Sequence, residues 1–168
     1  AFDYLHDLQD PSTNAAAMYC NNHYIQQDLY ASVAGSYNST YLSLTASTDL
    51  RWSDLDCDVY RFNYVYRIDS KSLLSLIGSY KGWEANVALL YTHVQDHTVA
   101  QADAMQKLTP MFLLSYKKGG WILRAFHKRI FRVPTLNDLY YTLVGNTQLQ
   151  PEYTSQWDAG ADYRGKHL

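Results

Sequence analysis

The chain has 168 residues, a formal net charge of -2 and only 18% charged residues. This length suits one domain with its own core, and the lack of a Lys/Arg run excludes nucleic-acid binding as the main function. No stretch approaches the roughly 18 consecutive apolar residues of a transmembrane helix, and nothing at Ala1 resembles a signal peptide.

Alternation of apolar and polar residues predicts seven β-strands. In the clearest run, 41–52, Leu42, Leu44 and Leu50 occupy even positions and mostly polar residues occupy the odd ones. This period of two is typical of a strand with one apolar face. In chain order the strands are predicted at 24–37, 41–52, 72–80, 83–91, 110–117, 121–131 and 153–163. Helical spacing is convincing nowhere, so an all-β antiparallel fold is expected, and 1–6 could supply an eighth strand.

The predicted connections alternate in length. They are short at 38–39, 81–82 and 117–120 and long at 53–71, 95–108 and 132–152. Outer-membrane barrels have this asymmetry, with short periplasmic turns and long extracellular loops. The run from Trp83 to Tyr91 would rise about 20 Å at a strand tilt near 40°, which nearly fills the apolar band of about 25 Å in such barrels.

Aromatic residues flank the short turns on the apolar face of the strands. An amphipathic ring is most stable at the lipid headgroup level, so the turns are predicted to lie at a membrane interface. These residues are Tyr37, Tyr80, Trp83, Tyr116, Trp121 and Tyr163. The pattern favours a transmembrane barrel segment. Two alternatives stay open: a self-contained eight-stranded outer-membrane barrel acting as a porin or structural protein, and a soluble β-sandwich binding module.

The opposite face of the strands would line the barrel interior. Side chains fill the interior of a narrow barrel, whereas in a wide barrel they face water or a plug. The charged residues on this face are Asp28, Asp49, Arg51, Glu84, Arg124, Lys128, Asp158 and Asp162.

A resemblance enters at 124–163, "RAFHKRIFRVPTLNDLYYTLVGNTQLQPEYTSQWDAGADY". This stretch resembles the barrel signature of TonB-dependent outer-membrane receptors, particularly those of Bacteroidetes. Its pieces occur in consistent order: "RVPT" at 132–135, "NDLYY" at 137–141, "GN" at 145–146, "LQPE" at 149–152, and then a strand that contains Gly160 and Tyr163. Residues 71–123 agree loosely in layout, and residues 1–60 add little.

The resemblance implies a wide bacterial outer-membrane barrel around a plug domain, which takes up a scarce large ligand with energy from TonB. The ligand would be a siderophore, cobalamin, haem or a similar molecule. Residues 1–168 contain no plug-like region or TonB box, and seven or eight strands cannot enclose a plug. The expectation is therefore that 1–168 forms part of a receptor's barrel wall, with the plug domain and the remaining strands elsewhere.

The loop 132–152 is the predicted ligand contact, through Arg132, Asn137, Tyr140 and Tyr141. Large ligands are typically held by aromatic surfaces with a few polar anchors. The alternative is that this segment only folds back onto the barrel rim. "FRVP" at 131–134 is similar to a motif of haem receptors, but no His follows before Asn146, so haem is one candidate among several.

The two cysteines, Cys20 and Cys57, are predicted to form a disulfide. A two-residue turn at Asn38-Ser39 would pair Leu29 with Thr48 and, carried upward, would set the cysteines opposite each other. Directly opposed strand residues have Cβ atoms about 4.5–5.5 Å apart, close to disulfide range, and a protein destined for the outer membrane crosses an oxidising compartment.

Other candidate sites have weaker patterns. His93 and His97 lie at a predicted strand end and loop, where metal ligation is not expected. Asp54, Asp56 and Asp58 alternate like the start of a calcium loop, but the Gly and Glu of an EF-hand are missing, so a solvated acidic loop is the simpler interpretation. No spacing supports a catalytic group or a cofactor, and a non-enzymatic protein is expected.

Overall fold

The computed structural model describes residues 23–58, 62–98, 104–141 and 145–165. They form seven strands in one sheet, each antiparallel to the next, in the order β1 to β7. The strands and one short helix are β1 Tyr24–Asn38, β2 Leu42–Cys57, β3 Val65–Tyr80, β4 Trp83–His97, β5 Met105–Lys118, β6 Trp121–Arg132, α1 Leu136–Tyr140 and β7 Glu152–Tyr163. Within the described ranges, no helix is long and apolar enough to cross a membrane.

The predicted strands are confirmed in number and order, but four of them are several residues longer than predicted. β2 extends to Cys57, β3 begins at Val65, β4 extends to His97 and β5 begins at Met105. The predicted connections 53–71 and 95–108 were therefore wrong in extent. Apolar and polar residues alternate cleanly only where one face of the strand is in an apolar environment. Hydrogen bonding between neighbouring backbones continues beyond that region. The predicted extra strand at 1–6 lies outside the described residues.

The register places side chains on two distinct faces. The outer face contains the even residues of β2, β3 and β5 and the odd residues of β1, β4, β6 and β7, because these positions oppose one another along each ladder. Most of the large hydrophobic residues that are exposed lie on this face, including Leu29, Val33 and Leu74. An apolar face without protein cover is the expected surface for lipid.

On β6 and β7, aromatic pairs lie at both ends of the outer face, and they are named here the lower and upper aromatic rows. At the end with the short turns, the rings of Trp121 and Tyr163 lie 4.9 Å apart. Ten residues further along the same strands, the rings of Phe131 and Tyr153 lie 5.2 Å apart. At about 3.3 Å per residue and a tilt near 40°, the rows are about 25 Å apart, the height of the apolar band of an outer-membrane barrel.

The inner face carries the small core of the described chain. Leu55, Val65 and Leu136 are buried together, and Tyr24, Phe62 and Tyr140 pack around them. Leu136 belongs to α1, so the core forms where the segment after β6 covers the inner face of β2 and β3. The sheet is one layer with a local cover, and the described residues contain no second sheet such as a β-sandwich requires.

The register predicted for the first hairpin was wrong. Leu29 pairs with Trp52, four positions from the predicted Thr48. The turn forms at Thr40-Tyr41, because the Ser39 N–H donates to the Leu42 carbonyl at 2.7 Å. This turn puts Tyr41 edge-on to the ring of Tyr80 at 6.4 Å, a contact between hairpins that the local sequence does not reveal. Because the observed register differs from the predicted one by an even number of residues, each side chain of this hairpin stays on its predicted face.

The same correction removes the geometric argument for the disulfide. Cys57 lies opposite Tyr24 at the end of the first ladder. Its predicted partner, Cys20, lies outside the described residues. The Cys20–Cys57 bond therefore stays a prediction that rests on the oxidising compartment alone.

Candidate functional site

The segment 133–141, named here the inner strap, folds from the end of β6 onto the inner face. Its helix α1 begins with a capping box. The Asp138 N–H donates to Thr135 Oγ1 at 3.1 Å, and the Thr135 N–H donates to Asp138 Oδ2 at 2.9 Å. Pro134 lacks an N–H and cannot extend the β6 ladder, so the chain leaves the sheet there and the cap starts the helix.

A buried ion pair fastens the inner strap to the barrel wall. Arg67 of β3 and Asp96 of β4 are directly opposed. The guanidinium donates to both carboxylate oxygens, at 2.5 and 2.8 Å. It also donates to the Pro134 carbonyl at 2.6 Å. The side chains of Arg67 and Asp96 are only 10% and 3% exposed, which makes the pair dependent on this geometry.

Tyr140 completes the network from the strap side. Its hydroxyl donates to Asp96 Oδ2 at 3.3 Å, while its ring packs against the core. Burial, with the Asp96 carboxylate as the next cause, raises the pKa of Tyr140 to about 12. At the exposed start of α1, hydrogen bonds from the backbone and side chain of Thr135 lower the pKa of Asp138.

A polar cavity of about 350 Å³ lies between the inner strap and the wall. Arg51, Asp69 and Lys71 line it from β2 and β3, and Arg132 and Asn137 line it from the strap side. Ion pairs balance much of this charge: Arg51 binds Asp28 at 2.9 Å and Lys71 binds Asp69 at 3.1 Å. The other Asp69 carboxylate oxygen, Oδ1, is buried without a hydrogen-bond partner in the described chain.

The four predicted ligand residues lie close together on or beside the strap, but their surroundings differ. Arg132 is exposed and lies 3.8 Å from Glu152. Asn137 lines the cavity, and its carbonyl accepts the Tyr141 N–H. Tyr141 is partly exposed and stacks on Tyr24 at 4.0 Å. Tyr140 is turned into the Asp96 network, so its geometry fits the alternative in which the segment folds back onto the wall.

Three of the residues singled out in the sequence, His97, Asp54 and Asp58, have separate partners. His97 belongs to β4, where its ring stacks on Tyr66 at 4.5 Å. Asp54 accepts hydrogen bonds from the Gln27 N–H and the Tyr64 hydroxyl, whereas Asp58 binds His23. Within the ranges that the structure covers, no three His, Cys, Asp or Glu side chains are grouped to hold a metal ion. The sequence interpretation of Asp54 and Asp56 as loop residues was wrong, since both lie in β2.

Sequence reasoning missed Arg67 and Asp96, the two residues that fasten the strap. Both fell in segments that were predicted as loops, 53–71 and 95–108. In the sequence they are two residues of opposite charge in separate segments. They can be recognised as a pair only when the strand register, which places them opposite each other, is known.

One comparison with known proteins matches the whole chain. A family model described as TonB dependent receptor-like, beta-barrel, covers residues 1–168. The chain belongs to the TonB-dependent receptor β-barrel family. The seven antiparallel strands agree with this assignment. No curated protein matches the chain.

Membership of the TonB-dependent receptor family gives the strap and the wall their context. Barrels of this family are outer-membrane receptors of Gram-negative bacteria, and full-length receptors have a plug domain and act with TonB. The resemblance read at 124–163 is therefore confirmed, and it extends over all of the chain. The inner face described above faces the lumen of the receptor barrel.

Proposed function

We propose that this chain forms part of the wall of a receptor in the bacterial outer membrane that imports a scarce large ligand with energy from TonB. The ligand would be a siderophore, cobalamin, haem or a similar molecule. Its role is transport, not catalysis. The observation that carries the membrane placement is the apolar outer face between two aromatic rows about 25 Å apart.

Paired arginine substitutions in the full-length protein test the membrane placement. Val87 lies on the outer face four residues above Trp83, about 10 Å into the band, and pairs with Leu76 and Phe112. Val87→Arg should cost roughly 2–4 kcal/mol of folding free energy in lipid vesicles. The neighbouring Asn86→Arg, on the inner face, should be mild. Leu44→Arg and Ser43→Arg on β2 form a second matched pair with the same expectation. Equal losses from both faces would refute the membrane placement.

We also propose that the ligand is contacted on the lumen side by Arg132, Asn137 and Tyr141, with Tyr140 supporting them from the strap. The proposal is supported by the polar cavity, which Arg132 and Asn137 line, and by the partly exposed Tyr141 ring. An aromatic surface with polar anchors suits a large ligand.

The test is uptake at limiting ligand by cells that express the full-length receptor. Tyr141→Ala should reduce uptake of the cognate siderophore, vitamin or haem, whereas Tyr141→Phe should not, because the ring provides the surface. Trp121→Phe, on the outer face, is the control for receptor abundance. Normal uptake by Tyr141→Ala would exclude the contact role.

A further inference from the structure

The ladder between β5 and β6 ends before either strand does. Paired positions run upward from the short turn and stop at Met111, which lies opposite Lys128. Both strands continue above this level, yet no position of 105–110 is paired with one of 129–132, all of which the structure describes. Each stretch stays paired on its other side, with β4 and with β7. The two stretches therefore border a gap in the wall, named here the seam.

Pro110 accounts for the level at which the ladder stops. The Lys117 N–H donates to the Gly82 carbonyl, on the β4 side of the strand, at 2.8 Å. Backbone N–H groups point to alternate sides along a strand, and the register of β5 is unbroken, so its even-numbered positions point to β6. Pro110 is one of these positions and has no N–H. Arg129, which the same register would set opposite it, therefore lacks a donor for its carbonyl.

Side chains from the two faces meet at the seam. Lys107 belongs by register to the inner face, yet its ammonium lies 4.6 Å from the centre of the Tyr153 ring, an outer-face residue. Phe131 is also an outer-face residue by register, yet it lines the polar cavity together with Thr92 and Val94 of the inner face. A continuous sheet would separate these side chains. The wall is therefore open between β5 and β6 at this level.

The inner strap draws the upper end of β6 away from β5. The strap follows β6 directly, and Arg67 of β3 donates to the Pro134 carbonyl. Because β4 and β5 lie between β3 and β6, a flat sheet would keep these two strands about 14 Å apart, which is three strand spacings. Pro134 comes two residues after Arg132, the last residue of β6, and two residues span at most about 7 Å. The anchored strap therefore pulls the end of β6 over the inner face.

We propose that the strap anchor and the seam are competing attachments of the same strand end, and that together they form a conformational switch. With the strap anchored on Arg67 and Asp96, the seam is open. When the strap leaves its anchor, the end of β6 returns to β5 and the ladder closes upward. Pro110 removes one hydrogen bond from the closed seam, so the anchored state prevails. A ligand at the contact site proposed above would act on this switch through the strap, and this step alone rests on that proposal.

The experiment measures hydrogen exchange at single amides of the full-length protein in lipid vesicles. The Leu108 and Phe131 N–H groups, named here the seam amides, point into the seam by the alternation described above. The Phe112 and His127 N–H groups point across the same two strands below Pro110, where the ladder is paired. In the unaltered protein we expect the seam amides to exchange about a hundredfold faster than this reference pair or more.

Two variants test the competition between the anchor and the seam. In Asp96→Asn the Leu139 and Tyr141 amides of the strap should exchange faster, while the seam amides should exchange about tenfold slower because the seam closes. Pro110→Val supplies the missing N–H. It should slow the seam amides and, because the two attachments compete, speed the strap amides. Leu114→Val changes a position whose N–H already lies in the paired ladder, so as the matched control it should alter neither region.

Three results would overturn the switch. Seam amides as well protected as those of Phe112 and His127 would show that the wall is continuous. Faster exchange of both regions in Asp96→Asn would show that the strap only stabilises the wall. Unchanged strap exchange in Pro110→Val would show that the two attachments do not compete. No ligand is needed for these measurements, so the switch can fail while the ligand contact of Tyr141 stands, and normal uptake by Tyr141→Ala would leave the switch standing.

Discussion

Asp96→Asn should release the inner strap from the wall. Asparagine keeps the size of the side chain and one acceptor oxygen, but it leaves the Arg67 guanidinium buried without a negative charge. In the native protein Arg67 makes two hydrogen bonds to Asp96 and one to Pro134. Breaking one partner of such a buried pair typically costs about 3–5 kcal/mol, and the low exposure of both side chains places this pair in that class.

Hydrogen exchange of the strap amides measures this cost. The Leu139 and Tyr141 N–H groups are bonded within the strap, to the Thr135 and Asn137 carbonyls. A loss of about 3 kcal/mol corresponds to roughly hundredfold faster exchange through local opening. The exchange rate cannot rise above that of a fully open strap. Amides near Val87, in the middle of β4, serve as the internal reference and should change little.

A double variant separates charge from packing. Arg67→Met with Asp96→Leu removes both charges and keeps much of the volume, so it should restore a large part of the protection lost in Asp96→Asn. If the strap amides of Asp96→Asn exchange at the native rate, the ion pair does not hold the strap. The packing of Leu136 against Leu55 and Val65 must then hold it.

Three further predictions concern the ends of α1. The pKa of Tyr140, about 12, lies above the ordinary value of about 10. Its hydroxyl should therefore stabilise the strap fully below about pH 10, and this contribution should be lost as pH rises through about 12. The measurement is an absorbance difference titration against Tyr140→Phe, and a transition near pH 10 would contradict the prediction. Thr135→Ala should cost about 1 kcal/mol of helix stability, seen as severalfold faster exchange at Leu139. Because the pKa of Asp138 is lowered, the cap should weaken as pH falls through that lowered value. If the protection of the Leu139 amide, relative to its intrinsic exchange rate, does not change over this pH range, Asp138 does not contribute to the cap.

The local sequence predicted the features that repeat along a single strand. The side-chain period is two, so alternation at 41–52 identifies the faces without any knowledge of the partner strand. The faces of β1 and β2 stayed correct even though their register was displaced by four residues. Rings beside short turns likewise indicated a membrane interface, because each ring senses the same boundary independently.

Contacts between distant segments required the folded chain. The turn at Thr40-Tyr41 brings Tyr41 beside Tyr80, a ring from the next hairpin, and no pattern within the first hairpin reports that neighbour. The strands also continued past their apolar runs, because hydrogen bonds between neighbouring backbones do not depend on which side chains face lipid.

The sequence by itself thus determined the strand number, the two faces and the family, all of which depend on local period or on ordered motifs. The tertiary structure alone decided how the strap is held. Arg67 and Asp96 are 29 residues apart, and Pro134 is 67 residues from Arg67. They meet only because an antiparallel ladder opposes the first two and the capped helix brings the third over them. A buried charge pair is set by position in space, and the linear order of residues carries no period that encodes it.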